Sequence, residues 1–113
     1  MAQEQTRLLI EAYRRCAAAT GGVNAVEANR AHDEMHRAYK VLRSTDAGRQ
    51  AILTLIRDPS PNVRCWAAAH SLAWAEFEAR QALEELVASD GRCAFTARMT
   101  LREFDAGRLS SEY

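Results

Sequence analysis

Apolar residues recur at three- and four-residue spacing along most of the chain. Leu8, Leu9, Ala12, Tyr13, Cys16 and Ala17 form one such stripe, which predicts a helix from about residue 5 to residue 19. Thr20-Gly21-Gly22 ends it, because glycine readily takes the left-handed conformation that closes a helix. Asn24 is placed to cap a long second helix, about 25–43. Ala28, Ala31, Met35, Ala38, Tyr39 and Leu42 make its inward stripe, and Glu27, Arg30, Asp33, Glu34, Arg37 and Lys40 its opposite face.

Ser44-Thr45-Asp46 is a capping cluster ahead of a short third helix, about 47–57, with Ile52, Leu55 and Ile56 inward. Asp58-Pro59-Ser60-Pro61 ends it, since proline disfavours helix in the preceding residue and suits the first turn of the next one. Three more helices follow, about 61–75, 77–88 and 92–106. A turn at Ser89-Asp90-Gly91 separates the last two, and Gly107 closes the last ahead of a frayed tail. No stretch alternates with period two, so no strands are expected.

The second half repeats. Ile52-Leu53-Thr54-Leu55-Ile56 matches Leu83-Glu84-Glu85-Leu86-Val87, and Trp66, Ala68, Ser71 and Leu72 match Phe95, Ala97, Thr100 and Leu101. A period of about 30 residues belongs to helical solenoids, in which stacked hairpins share a core that none could bury alone. Ala67, Ala68 and Ser71 are small enough to let the fourth helix approach its neighbours closely. The expected fold is all-α, a short α-α superhelix of about three hairpins, forming one domain over residues 1–113.

The stretch Asp58-Pro59-Ser60-Pro61-Asn62-Val63-Arg64, followed by Ala67-Ala68 and Leu72, resembles the HEAT repeat. That resemblance implies structural roles for Asp58, Val63, Arg64, Ala68 and Leu72, with Asp58 and Arg64 tying the turn or linking adjacent repeats. The last repeat departs from the pattern, with Arg92-Cys93 at the Val-Arg position. Over residues 5–109 the chain is similar to a small bacterial family of unknown function with a HEAT-like fold. The similarity rests on Asn29-Arg30, the Asp58–Leu72 stretch, Ala82-Leu83-Glu84 and Gly107-Arg108-Leu109. Related small helical-repeat proteins act as immunity proteins, and the resemblance implies a toxin-neutralising role as a candidate.

Composition narrows the function. The 113 residues carry 15 basic and 15 acidic side chains, and a neutral balance disfavours a dedicated nucleic-acid binder. Such a role would need Arg7, Arg14, Arg15, Arg37, Lys40 and Arg43 to converge on one groove. Cys16, Cys65 and Cys93 are odd in number and widely spaced, which suits free thiols in a reducing compartment. There is no signal-peptide pattern and no membrane-length apolar run, so the chain is expected to be cytoplasmic.

His32-Asp33-Glu34-Met35-His36 places two imidazoles one helical turn apart, but Asp33 stands where a zincin helix has its glutamate and no third ligand follows. Cys65 and His70 lie at an offset that separates them around a helix, and no nucleophile elbow or phosphate loop is present. No metal, cofactor, small-molecule ligand or catalytic centre is therefore expected. Trp66, His70 and Trp74, four apart, would share one edge of the fourth helix, with Trp74 the candidate exposed anchor. Asp33, Glu34, Arg37 and Lys40 offer a second candidate surface. The function these features suggest is protein binding, with a cognate toxin as the most concrete partner and a regulatory adaptor as the rival.

Overall fold

A computed structural model describes residues 2–20 and 24–109. It is all-α, with helices α1 (Ala2–Ala19), α2 (Ala25–Leu42), α3 (Asp46–Thr54), α4 (Pro61–Ser71), α5 (Glu76–Ala88) and α6 (Ala94–Asp105). Among the described residues there is no strand.

The helix ends follow local chemistry. Asn24 Oδ1 accepts from the Glu27 amide at 3.1 Å, Thr45 from the Gly48 amide at 3.0 Å, and Ser60 from the Val63 amide at 3.4 Å. Each occupies an N-cap and satisfies an amide that the helix leaves open. Pro61 takes the first turn of α4. At the end of α6, Gly107 has φ +75°, while Arg108 N–H bonds Glu103 O and Gly107 N–H bonds Phe104 O. These two bonds make a Schellman closure, as the glycine suggested. Gly21 and Gly22, expected to stop α1, lie outside the described residues, as does the tail from residue 110.

α1 begins at Ala2, ahead of the expected start near residue 5, and three later boundaries also differ from the sequence expectation. The segment after α3 tightens into one turn of 3-10 helix, Leu55–Arg57, which lets Ile56 pack against two apolar clusters at once. α4 stops at Ser71, not Ala75, although no glycine or proline intervenes. Leu72 is drawn into one cluster and Trp74 into the other, so burial on two sides turns the chain where propensity would continue it. Between α5 and α6 the left-handed residue is Asp90, φ +53°, and α6 begins only at Ala94.

α1 packs on α2, the α3 segment on α4, and α5 on α6. α4 is the shared inner helix, touching α1, α3, α5 and α6. Its Val63 and Ala67 join Tyr13, Met35, Tyr39, Leu42 and Ile52 in one cluster. Cys65, Ala68 and Leu72 join Ala79, Leu83, Leu86 and Ala97 in the other. Ala67, Ala68 and Ser71 are fully buried. Leu8, expected inside, is exposed.

The repeat holds at Ile52 with Leu83 and at Ala68 with Ala97, all buried. It fails at Trp66 with Phe95, which is 67% exposed. Ala94, Ala97 and Leu101 set the inward stripe of α6, and Phe95, about 100° around from Ala94, falls outside it.

Candidate functional site

The chain's three histidines gather with aromatic rings where α1, α2 and α4 meet. His70 lies at the centre, 7% exposed. The Tyr13 hydroxyl is 2.6 Å from its Nδ1, and the Tyr39 ring stacks on it with centroids 3.8 Å apart. Trp66 lies 5.6 Å from His70 and 5.3 Å from His32, and its Nε1–H donates to Thr20 Oγ1 at 2.9 Å. Burial, with His36, His32 and Arg43 nearby, lowers the pKa of His70 from 6.5 to about 3. Its ring is neutral at ordinary pH.

This geometry corrects two candidate contact residues. His70 is a buried core group rather than part of an exposed edge. Trp74 is not on α4; it sits in the following turn, half-buried against the first cluster, with Nε1 buried and without a hydrogen-bond partner. It cannot serve as an exposed anchor in this conformation. Trp66 is half-buried, its indole N–H committed to Thr20. The large apolar side chains that reach solvent are others, among them Phe77, Val26 and Phe95.

The second candidate surface is where the pattern placed it: Asp33, Glu34, Arg37 and Lys40 lie along α2, with Glu34 and Lys40 exposed and Asp33 presenting a side chain 73% exposed. Arg37 Nε donates to the Asp33 carbonyl at 3.4 Å, the Cys16 thiol lies 3.5 Å from Glu34 Oε2, and His32 lies 3.6 Å from Asp33.

The Asp58 turn is structural. The Asp58 carboxylate, with its side chain 5% exposed, accepts from Arg14 Nε at 2.6 Å and from the Ser60 amide at 2.9 Å. Arg64 donates to the Asp58 and Pro59 carbonyls, at 2.8 and 3.1 Å. Arg14 therefore supplies the long-range ion pair, while Arg64 ties the turn through the backbone. Val63, Ala68 and Leu72 are buried behind it. Of the arginines needed for a nucleic-acid groove, Arg14 is held by Asp58 and Arg7 by Glu4 and Glu11.

A cavity of about 400 Å³ lies between α4 and α6, and no single stretch of sequence announced it. Thr20, Asn62, Cys65, Arg92, Cys93, Thr96 and Thr100 line it together with Trp66, Ala69 and His70. A smaller one of about 140 Å³ shares Ala69, His70 and Leu109 with it and reaches Tyr39 and Phe104. Burial pushes the Cys65 thiol up to about 12, helped by Cys93 beside it. Burial also raises Cys93, against the opposing pull of Arg64 and Arg92, and raises Cys16 beside Glu34. All three thiols are held protonated, the unreactive form. His32 and His36 stack with ring planes 5° apart, and among the described residues no group of three or more His, Cys, Asp or Glu could hold a metal ion. No helix is long and apolar enough to cross a membrane, among the described residues.

A family model described as a domain of unknown function, DUF2019, matches residues 3–105, and the chain belongs to that family. Among solved structures it is similar to the crystal structure of the protein RPA1889 from Rhodopseudomonas palustris CGA009. The two share 29% identity over 97% of this chain and 93% of that one, with a TM-score of 0.80. No curated protein matches the chain.

Proposed function

We propose that this member of the family is a non-enzymatic protein-binding module, a HEAT-like stack of three helical hairpins that recognises its partner through the exposed face of α2. The supporting observation is the exposed row of charges of both signs on α2, Asp33, Glu34, Arg37 and Lys40. Some charges elsewhere are neutralised within the chain: Arg7 by Glu4 and Glu11, Arg80 by Glu76 and Asp105, Arg108 by Glu103. On α2, among the described residues, Arg37 and Lys40 make no ion pair and Glu34 meets only a thiol. Unneutralised charges of both signs in one row steer encounter and fix register against a complementary surface.

The stacked reading draws on consecutive helices packing on one another, α1 on α2, α3 on α4, α4 on α5 and α5 on α6. The non-enzymatic reading draws on protonated thiols and a neutral His70 whose Nδ1 is already engaged, which leaves no activated nucleophile or base in the cavity. The most concrete partner is a cognate toxin, bound by occlusion of its active site, in the cytoplasm. The rival partner is a regulatory protein, with this chain as its adaptor.

Affinity capture from the source organism, with mass spectrometry and a tag-only control, tests this. One dominant stoichiometric protein, whose toxicity on expression is suppressed by this chain, is the expected result. A regulatory partner without toxicity selects the adaptor, and no protein above control defeats the reading.

A further inference from the structure

The larger cavity exists because short side chains face one another across it. α4 offers Cys65 and Ala69, one turn apart, and α6 offers Thr96 and Thr100 at the same spacing. The Phe95 ring, large enough to fill such a space, is turned to solvent, 67% exposed. Interiors of folded chains hold few voids larger than a water molecule, whereas this one, at about 400 Å³, lies within the range of small-molecule pockets.

One wall is aromatic and fixed. Trp66 lines the cavity and is held by three contacts: its Nε1–H donates to Thr20 Oγ1 at 2.9 Å, and its ring meets those of His32 at 5.3 Å and His70 at 5.6 Å. With the indole N–H spent on Thr20, the surface left for a ligand is apolar. The sulfurs of Cys65 and Cys93 add soft, polarisable contacts that suit an aromatic ring. The lining also offers no counter-charge. Among the described residues it holds no carboxylate, both thiols are protonated and the His70 ring is neutral. Arg92 is exposed and already engaged within the chain. A charged ligand would lose its hydration here without gaining a partner.

We propose that this cavity binds a neutral, planar aromatic molecule of two fused rings, lying against Trp66 between the short side chains of α4 and α6. An apolar cavity of about 150 Å³ holds one benzene ring, so about 400 Å³ takes two with room for a small substituent. Because the indole is already fixed, little ordering accompanies binding. This site is separate from the charged face of α2, and neither proposal depends on the other.

The test titrates 2-naphthol, neutral at pH 7, into the ¹⁵N-labelled full chain. Saturable one-to-one shifts centred on Cys65, Trp66, Ala69 and Thr96 are expected. 2-Naphthoate has the same rings with a negative charge and binds about tenfold more weakly. Decahydro-2-naphthol has the same carbon skeleton without the flat π-system and binds about threefold more weakly. Ala69→Phe fills the cavity from α4, and Thr96→Phe fills it from an exposed position on α6. Each abolishes binding with helicity by circular dichroism unchanged, and if Ala69→Phe loses helicity, Thr96→Phe decides. No saturable shift at millimolar 2-naphthol, shifts away from the cavity, binding that survives in a folded filled variant, or equal affinity for 2-naphthol and either analogue each overturns the proposal.

Discussion

Protonating His70 inside the fold would put a cation among aromatic rings, beside two other imidazoles and the Arg43 guanidinium. In the unfolded chain the same ring protonates near pH 6.5. Between pH 6.5 and about 3 the unfolded state thus binds the extra proton, and stability falls as the pH falls. The contribution is full above pH 6.5. Between pH 7 and pH 4.5 it should drop by about 2.5 kcal/mol. Urea unfolding at both pH values measures it, with His70→Gln as the reference. The variant should lose less on acidification, and equal losses would contradict a buried neutral ring. Tyr13→Phe removes the partner of Nδ1 and should cost about 1–2 kcal/mol at pH 7. Sequence alone could not show this cluster, because Tyr13 and His70 are 57 positions apart and a lone histidine on a helix carries no mark of its tertiary partners.

The corner from α2 into α3 depends on one glycine. A Cβ at Gly48 would collide with the carbonyl of Leu42, which is backbone and cannot move aside. Gly48→Ala should therefore destabilise by about 2–4 kcal/mol, despite alanine's better helix propensity. Thr45→Ala removes only the cap and should cost about 1 kcal/mol. Chemical denaturation of both variants measures the contrast, and a Gly48→Ala chain as stable as the parent would refute the close approach. Helices and their caps were largely legible in the sequence, because Asn24, Thr45, Ser60 and Gly107 act through bonds to residues a few positions away. The end of α4 was not, since competing burial of Leu72 and Trp74 decides it. The equivalence of Trp66 and Phe95 was misleading for a related reason: sequence offset fixes a position on a helix, but the packing of that helix decides which face is covered.

At the scale of the whole molecule, equal numbers of basic and acidic residues conceal an uneven arrangement. Several charges on α1, α5 and α6 are paired internally, while Arg37 and Lys40 in the row on α2 make no ion pair among the described residues. That row was legible from helical periodicity, because it needs only one element. The cavity was not, since it is assembled from the end of α1, one side of α4 and the start of α6. The most direct test of the account is the affinity of the captured partner for the parent chain and for Glu34→Lys/Arg37→Glu, measured by calorimetry at low and physiological salt. Recognition through α2 predicts that the double reversal weakens binding at least tenfold, with unchanged thermal stability and with most of the salt dependence lost. Binding by the reversed chain with the parent's affinity and salt dependence would contradict it.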